Sequence, residues 1–166
     1  LLTYARARPL HVFDADKLKG HIRARLASDG ETLEALDNKT YTLTPEMTVI
    51  ADGAGPEGIA GIIGGEASSC TDATTAVFLE AAYFDPLRTA ATGRKLGVNS
   101  DARYRFERGV DPAFTQTGAE IATRMILELC GGEASHLVVA GAVPDTARSY
   151  TLRKTRLKAL GGLDLP

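Results

Sequence analysis

Tryptophan is absent from this 166-residue chain, and five tyrosines and five phenylalanines supply all its aromatic bulk. A core made from it must rest on Ala, Val, Ile and Leu. Cysteine is nearly absent too: Cys70 and Cys130 stand far apart, with no CxxC and no Cys/His ligand spacing. That excludes a disulfide scaffold, and no metal site is expected; two buried, reduced thiols are. No apolar run approaches the ~20 residues of a membrane helix. No charged-then-apolar leader opens the chain. No membrane contact is expected, and the cytoplasm is the default location.

Strong net charge is also missing. The formal charge is −2, so nothing global announces a nucleic-acid binder. The distribution is uneven, however. Between Asp85 and Arg108 six basic residues face three acidic ones, a stretch of +3 that leaves −5 for the rest of the chain. Such a stretch either docks phosphate or forms a solvated helix face with its own ion pairs.

What is present is an ordinary globular composition, 44% apolar and 24% charged, at the size of one domain. The first half reads as β. His21 to Ala27 alternates, with Ile22, Ala24 and Leu26 on one face, and Asp29-Gly30 turns the chain into a return strand over 32–36. Asp37-Asn38 turns it again into 40–43. Met47 to Ala51 and Ile59 to Ile63 are short apolar strands. Ala76 to Ala82 (AVFLEAA) suits a strand buried on both faces.

The second half turns helical. Asp85 caps a helix over 86–96 that Gly97 stops. Asp111 and Pro112 open a longer helix ended by Gly131-Gly132, with Phe114, Gly118, Ile121, Ala122, Met125, Ile126 and Leu129 on one face. Leu137 to Val143 returns to β, Tyr150 to Arg153 suits a strand, and Lys154 to Leu160 a helix. Strands first and helices later indicate an α+β fold, mixed or antiparallel sheets packed with helices mainly from the second half. Leu1 to Ala5 reads as the tail of a helix, and the residues past Pro144 as the start of another unit. A fragment of a longer polypeptide is expected.

Three features carry possible chemistry. Gly58, Gly61, Gly64 and Gly65 crowd a strand-like run. They form no phosphate loop, since no Lys-Ser/Thr follows, and do not fit the dinucleotide fingerprint. Something approaches that backbone closely, either a neighbouring strand or a ligand. Glu80 sits between Leu79 and Ala81 inside AVFLEAA. Desolvating a carboxylate there is costly, so it either pairs with an arginine or points into a cavity. His11, between Leu10 and Val12, is either a satisfied core histidine or part of a site.

The order of the motifs resembles a known family. Arg8-Pro-Leu-His11-Val-Phe-Asp14, Gly61-Ile-Ile-Gly64-Gly65, Leu79-Glu80-Ala-Ala-Tyr-Phe84, Ser100-Asp-Ala102 and Arg105-Phe-Glu-Arg-Gly-Val-Asp-Pro112 follow one another as in the editing region of bacterial phenylalanyl-tRNA synthetase β subunits. The resemblance implies an editing domain over 1–146 and the truncated start of the next domain over 147–166. It implies an aminoacyl-ester hydrolase acting on tyrosine wrongly joined to tRNA(Phe), within a translation enzyme. His11 and Glu80 then meet the tyrosine hydroxyl, Ala102 leaves room for the ring, and Gly61, Ile63 and Gly64 line the substrate. Ser100 positions the water or the oxyanion. Arg94, Lys95, Arg103 and Arg105 are candidates for RNA contact. No cofactor is expected here, ATP and Mg belonging elsewhere in such a synthetase. The implied partners are the tRNA(Phe) acceptor end and the synthetase α subunit. The chain departs from the pattern at Ser100, Ile63 and Arg103. The alternative is a non-catalytic RNA-binding or scaffold domain of the same subunit.

Overall fold

A computed structural model describes residues 2–164. Helix α1 spans Leu2–Arg6, followed by strands β1 (His11–Asp14), β2 (Arg23–Leu26), β3 (Thr32–Glu34), β4 (Thr40–Thr42), β5 (Thr48–Ala51), β6 (Pro56–Ile59), β7 (Ile63–Gly64) and β8 (Val77–Glu80). Helices α2 (Pro86–Leu96), α3 (Asp101–Phe106), α4 (Thr115–Cys130) and α5 (Lys154–Gly161) complete it. The α+β expectation holds: antiparallel sheets come first and helices follow. The helix expected at the start is α1, with Leu1 outside the described residues.

Pairing departs from the expected succession of hairpins. β2 pairs with β5 rather than β3, in a four-stranded sheet ordered β2-β5-β6-β7. β3 instead pairs β4 across the predicted Asp37-Asn38 turn, where Asn38 takes a φ of 59°. The face of β2 is also reversed. Leu26 is 50% exposed, while Arg25 lies flatter and clasps Glu31 through two bonds of 2.8 and 2.6 Å.

The central strands β5 and β6 explain how one sheet serves two cores. Val49, Ala51 and Ile59 enter a cluster with Leu33, Leu43 and Met47, whereas Ile50 and Ala60 enter a second with Phe13, Phe84 and Phe106. Alternate residues of a strand point to opposite faces, so a short strand feeds both. The second cluster borders the candidate site.

Three further expectations are corrected. Residues 59–63 are not one strand: Ile62 N–H donates to Ile59 O at 2.9 Å, and Gly61 turns at a φ of 70° between β6 and β7. β8 is not buried on both faces: Val77 and Phe78, which point to opposite sides, are 44% and 39% exposed. No strand forms over 137–143 or 150–153, and Val138 and Val139 stand 76% and 68% exposed. These apolar stretches find no neighbouring edge to pair with. Cys70 and Cys130, expected to be buried, are free and exposed.

The helical punctuation is as expected in α2. Asp85 accepts from Arg88 N–H at 2.7 Å, and Gly97 closes the helix in the left-handed region. Asp111 caps a 3-10 turn at Pro112–Phe114 that leads into α4. Of the expected α4 stripe only Gly118 and Ala122 are buried, joined by Ala119 outside it, and Leu129 is 73% exposed. The first half of the helix packs beside Arg8 and β8, and the second half runs past them.

Helix α3, which periodicity did not reveal, is pinned to α2 by Arg103. Its guanidinium donates to Val98 O at 2.6 Å and to Glu107 at 3.0 Å, and lies directly over Gly93. A methyl at Gly93 would overlap it. In an Arg103→Ala background, Gly93→Ala should therefore raise stability by up to about 1 kcal/mol through helix propensity. In the native background the same change should be neutral or destabilising. A double-mutant cycle by chemical denaturation checks the sign of the coupling.

Candidate functional site

The site is built on the β1–β8 ladder, whose register places His11 directly opposite Glu80. Alternation then puts His11, Phe13, Phe78 and Glu80 on one face of this ribbon. Phe13 is 1% exposed and meets the His11 ring edge-on at 4.3 Å. It also packs near Phe78, ring centres 6.1 Å apart. An aromatic floor thus holds the two polar residues at the ladder's end.

Across from them stands the β6–β7 hairpin. Its glycines are explained by what they face. A Cβ at Gly64 would land on Cε1 of the His11 ring. A Cβ at Gly61 would come within 3.0 Å of Phe84 and 3.1 Å of Phe106, and the positive φ there also disfavours a side chain. Gly65 is held by its N–H on Glu57 O at 2.8 Å. Of the two readings of the glycine run, the structure bears out close approach by neighbouring groups, with the His11 imidazole as one of them.

Between ribbon and hairpin lies a cavity of about 230 Å³. His11, Glu80, Ala102, Gly61, Ile63 and Gly64 all line it, so six expected substrate-binding residues are brought together. Its apolar walls include Leu10, Ile50, Phe84 and Phe106, with the last two rings 5.2 Å apart. Phe84 and Phe106 stand inside the sequence motifs, but nothing in those motifs marks them as the wall. Their flanking of Glu80 and Ala102 was the available signal.

The electrostatics set this cavity apart. Glu80 lies among apolar groups, and desolvation pushes its carboxyl up to about 7. Among the described residues no arginine or lysine pairs with it. Burial likewise lowers the pKa of His11, which keeps the imidazole neutral at pH 7. Its Nε2 is buried without a hydrogen-bond partner. Buried polar atoms are nearly always satisfied. The buried Nε2 of His11 and the half-buried Glu80 carboxyl, opposite each other on a strand pair in an otherwise apolar hollow, form a receptor for one polar atom on a flat apolar body.

Ser100 stands differently. Its hydroxyl donates to Ile62 O at 2.6 Å and accepts from Arg103 N–H at 3.1 Å, capping α3. It does not line the cavity but ties the helix carrying Ala102 to the hairpin carrying Gly61 and Ile63.

The four RNA-contact candidates do not converge on one surface. Arg94 is exposed at the end of α2, and Lys95 reaches Glu46 at 3.3 Å. Arg103 is committed to Val98 O, just past α2, and to Glu107. Arg105, held on Asp101 O at 2.9 Å, lines a second cleft on the other side of α3.

Among the described residues no helix is long and apolar enough to cross a membrane. The chain matches the B3/4 domain family over residues 1–131. It is 67% identical over 98% of its length to the phenylalanine–tRNA ligase β subunit of Paramagnetospirillum magneticum. Identity is 61% over 98% to that of Rhodospirillum rubrum, and 59% over 99% to that of Ruegeria pomeroyi. The chain spans about a fifth of the length of these relatives. It belongs to the B3/4 domain family, in the version that phenylalanine–tRNA ligase β subunits carry.

Proposed function

We propose that the cavity is a post-transfer editing site, which hydrolyses tyrosine wrongly esterified to phenylalanine tRNA. One observation carries this reading: an apolar, ring-sized hollow with two unpartnered polar groups, Glu80 and the Nε2 of His11, set opposite each other at its end. A phenol hydroxyl both donates and accepts, and so serves both groups. Phenylalanine fills the same hollow and leaves both desolvated and unpaired, at about 1–3 kcal/mol each. A site built to hydrogen-bond a hydroxyl rejects the analogue that lacks it far better than an apolar site rejects an added one. Such a pocket complements a synthetic site that is only partly able to exclude tyrosine.

The ester is already activated, and orienting a water beside its carbonyl supplies much of the acceleration. In this scheme the oxyanion takes a hydrogen bond from a backbone N–H of the β6–β7 turn other than those of Ala60 and Ile62, which are already given to Thr48 O and Ile59 O. Ser100 contributes by fixing Ile62 and the start of α3. His11 is spent on the phenol in this scheme and is not the general base. The partners in this reading are the tRNA(Phe) acceptor end and the α subunit of the parent synthetase, with ATP and Mg engaged elsewhere in that enzyme.

Glu80→Ala in the parent synthetase should slow deacylation of Tyr-tRNA(Phe) on the order of 10²-fold; unchanged deacylation would sink the reading. Gly64→Ala, which drives a methyl into the His11 ring, should weaken free tyrosine binding roughly tenfold or more. Gly58→Ala should weaken it less, since that methyl meets only Ile63 O at 3.4 Å and Gly64 Cα at 3.5 Å. Calorimetry compares the two.

The pH dependence follows from Glu80. Its carboxyl is raised from an ordinary 4.5 to about 7, so the folded state holds a proton that the unfolded state has released. That stabilising contribution is complete below pH 4.5 and is lost as pH rises through 7. Domain stability should fall between about pH 5 and 8, and Glu80→Gln should abolish that part of the slope in denaturation curves. Tyrosine binding should show the opposite trend. Ionised Glu80 accepts the phenol proton in a stronger, charge-assisted bond, so tyrosine affinity rises through about pH 7.

A further inference from the structure

A second cleft, of about 340 Å³, opens on the other side of α3. It is lined by Arg6, Arg8, Tyr104, Arg105, Arg108 and Asp111, among others. Four guanidinium groups against one lining carboxylate make it strongly cationic. Two of the four have acidic neighbours nearby: Arg105 lies 3.5 Å from Asp101, and Arg108 lies 3.0 Å from Glu107. Arg6 has no ion pair among the described residues.

Arg8 is the unusual member. It is only 2% exposed, yet no carboxylate pairs with it among the described residues. It donates to Asp111 O at 3.2 Å and to the Thr115 hydroxyl, both uncharged acceptors, and its Nε is buried without any partner. Burial pulls its pKa down, and only the nearby Asp111 charge opposes this. A cation in that position is under-compensated, and an anion at the cleft mouth supplies the missing charge.

Beside the guanidinium groups stands an aromatic platform. Tyr104 is 56% exposed, and the Arg108 guanidinium stacks over its ring at 3.7 Å. Aromatic and guanidinium planes next to phosphate-binding arginines are the surface on which single-stranded RNA bases stack. The cleft also borders the cavity. Arg8 and His11 are three residues apart, a reach of about 10 Å in extended chain. Helix α3 presents Ala102 and Phe106 to the cavity and Tyr104 and Arg105 to the cleft, with Arg108 just beyond its end.

We infer that this cleft holds a single-stranded RNA nucleotide, its phosphodiester on Arg6 and Arg108 over the buried charge of Arg8, and its base on Tyr104. The inference rests on the editing reading above: the nucleotide precedes the esterified terminal one, and its capture delivers the ester across α3 into the cavity. Arg105, of the four sequence-based candidates, belongs to this site, and Arg6, Arg108 and Tyr104 join it.

The test is single-turnover deacylation of Tyr-tRNA(Phe) by the parent synthetase, with half-saturation and maximal rate measured separately. Arg6→Gln with Arg108→Gln should raise half-saturation roughly tenfold and change the maximal rate little. The slope of log affinity against log salt should fall by about 0.7 for each phosphate that is no longer neutralised. Tyr104→Ala should also raise half-saturation, and Tyr104→Phe should restore it. Unchanged half-saturation and salt slope in the arginine variant would overturn the inference. So would inorganic phosphate competing as well as a short RNA ending in the acceptor sequence, which makes this a free-phosphate site. Glu80→Ala separates the two readings. If it abolishes deacylation while the arginine variant behaves as native, only the cleft assignment falls.

Discussion

Everything around the cavity depends on holding one carboxyl largely away from solvent. Glu80 has no cationic partner among the described residues, so its protonation is governed by solvent access alone. The fold meets this with aromatic packing: Phe13 and Phe78 beneath the ribbon, Phe84 and Phe106 across from it. A chain with few aromatics places three of its five phenylalanines, Phe13, Phe84 and Phe106, around one small volume. That allocation makes sense if the hollow must exclude water while accepting a ring. Burying the Nε2 of His11 without a partner costs stability, and a guest that hydrogen-bonds it offsets that cost.

Helix α3 is the second organising element. It is only six residues long, too short to persist alone, and is held at both ends by specific bonds. Ser100 fastens its start to Ile62, and Arg103 fastens its side to Val98. Those two positions depart from the pattern of the resembling family, and both have structural work in this chain. Arg103, in particular, fills the space above Gly93 rather than reaching for RNA.

Legibility in the sequence followed the range of the interaction. Caps and stops were readable because they are local: Asp85, Asp111 and Gly97 act within a few residues. Pairing was not, because β2 could meet β3 next to it or β5 further along. For the site, local context gave His11 and Glu80 bland roles as readily as functional ones. The order of five motifs picked them out, and the ladder register explains why: two residues 69 positions apart become direct neighbours. The basic cleft stayed hidden because Arg6 and Arg8 lie about a hundred residues from Arg105 and Arg108.

The β6–β7 hairpin has a consequence for how such a pocket can change. Gly61, Gly64 and Gly65 each have a different neighbour where a side chain would grow: two phenylalanines, an imidazole, and Leu33 with the Glu57 carbonyl. That wall is therefore main chain pressed against fixed groups, and it has no dial. Evolution or design aiming at a larger or smaller guest has to work through the side chains that meet the space, Ala102 on α3 and Ile63 beside the glycines. The cavity is adjustable at those side chains and frozen along the glycine backbone.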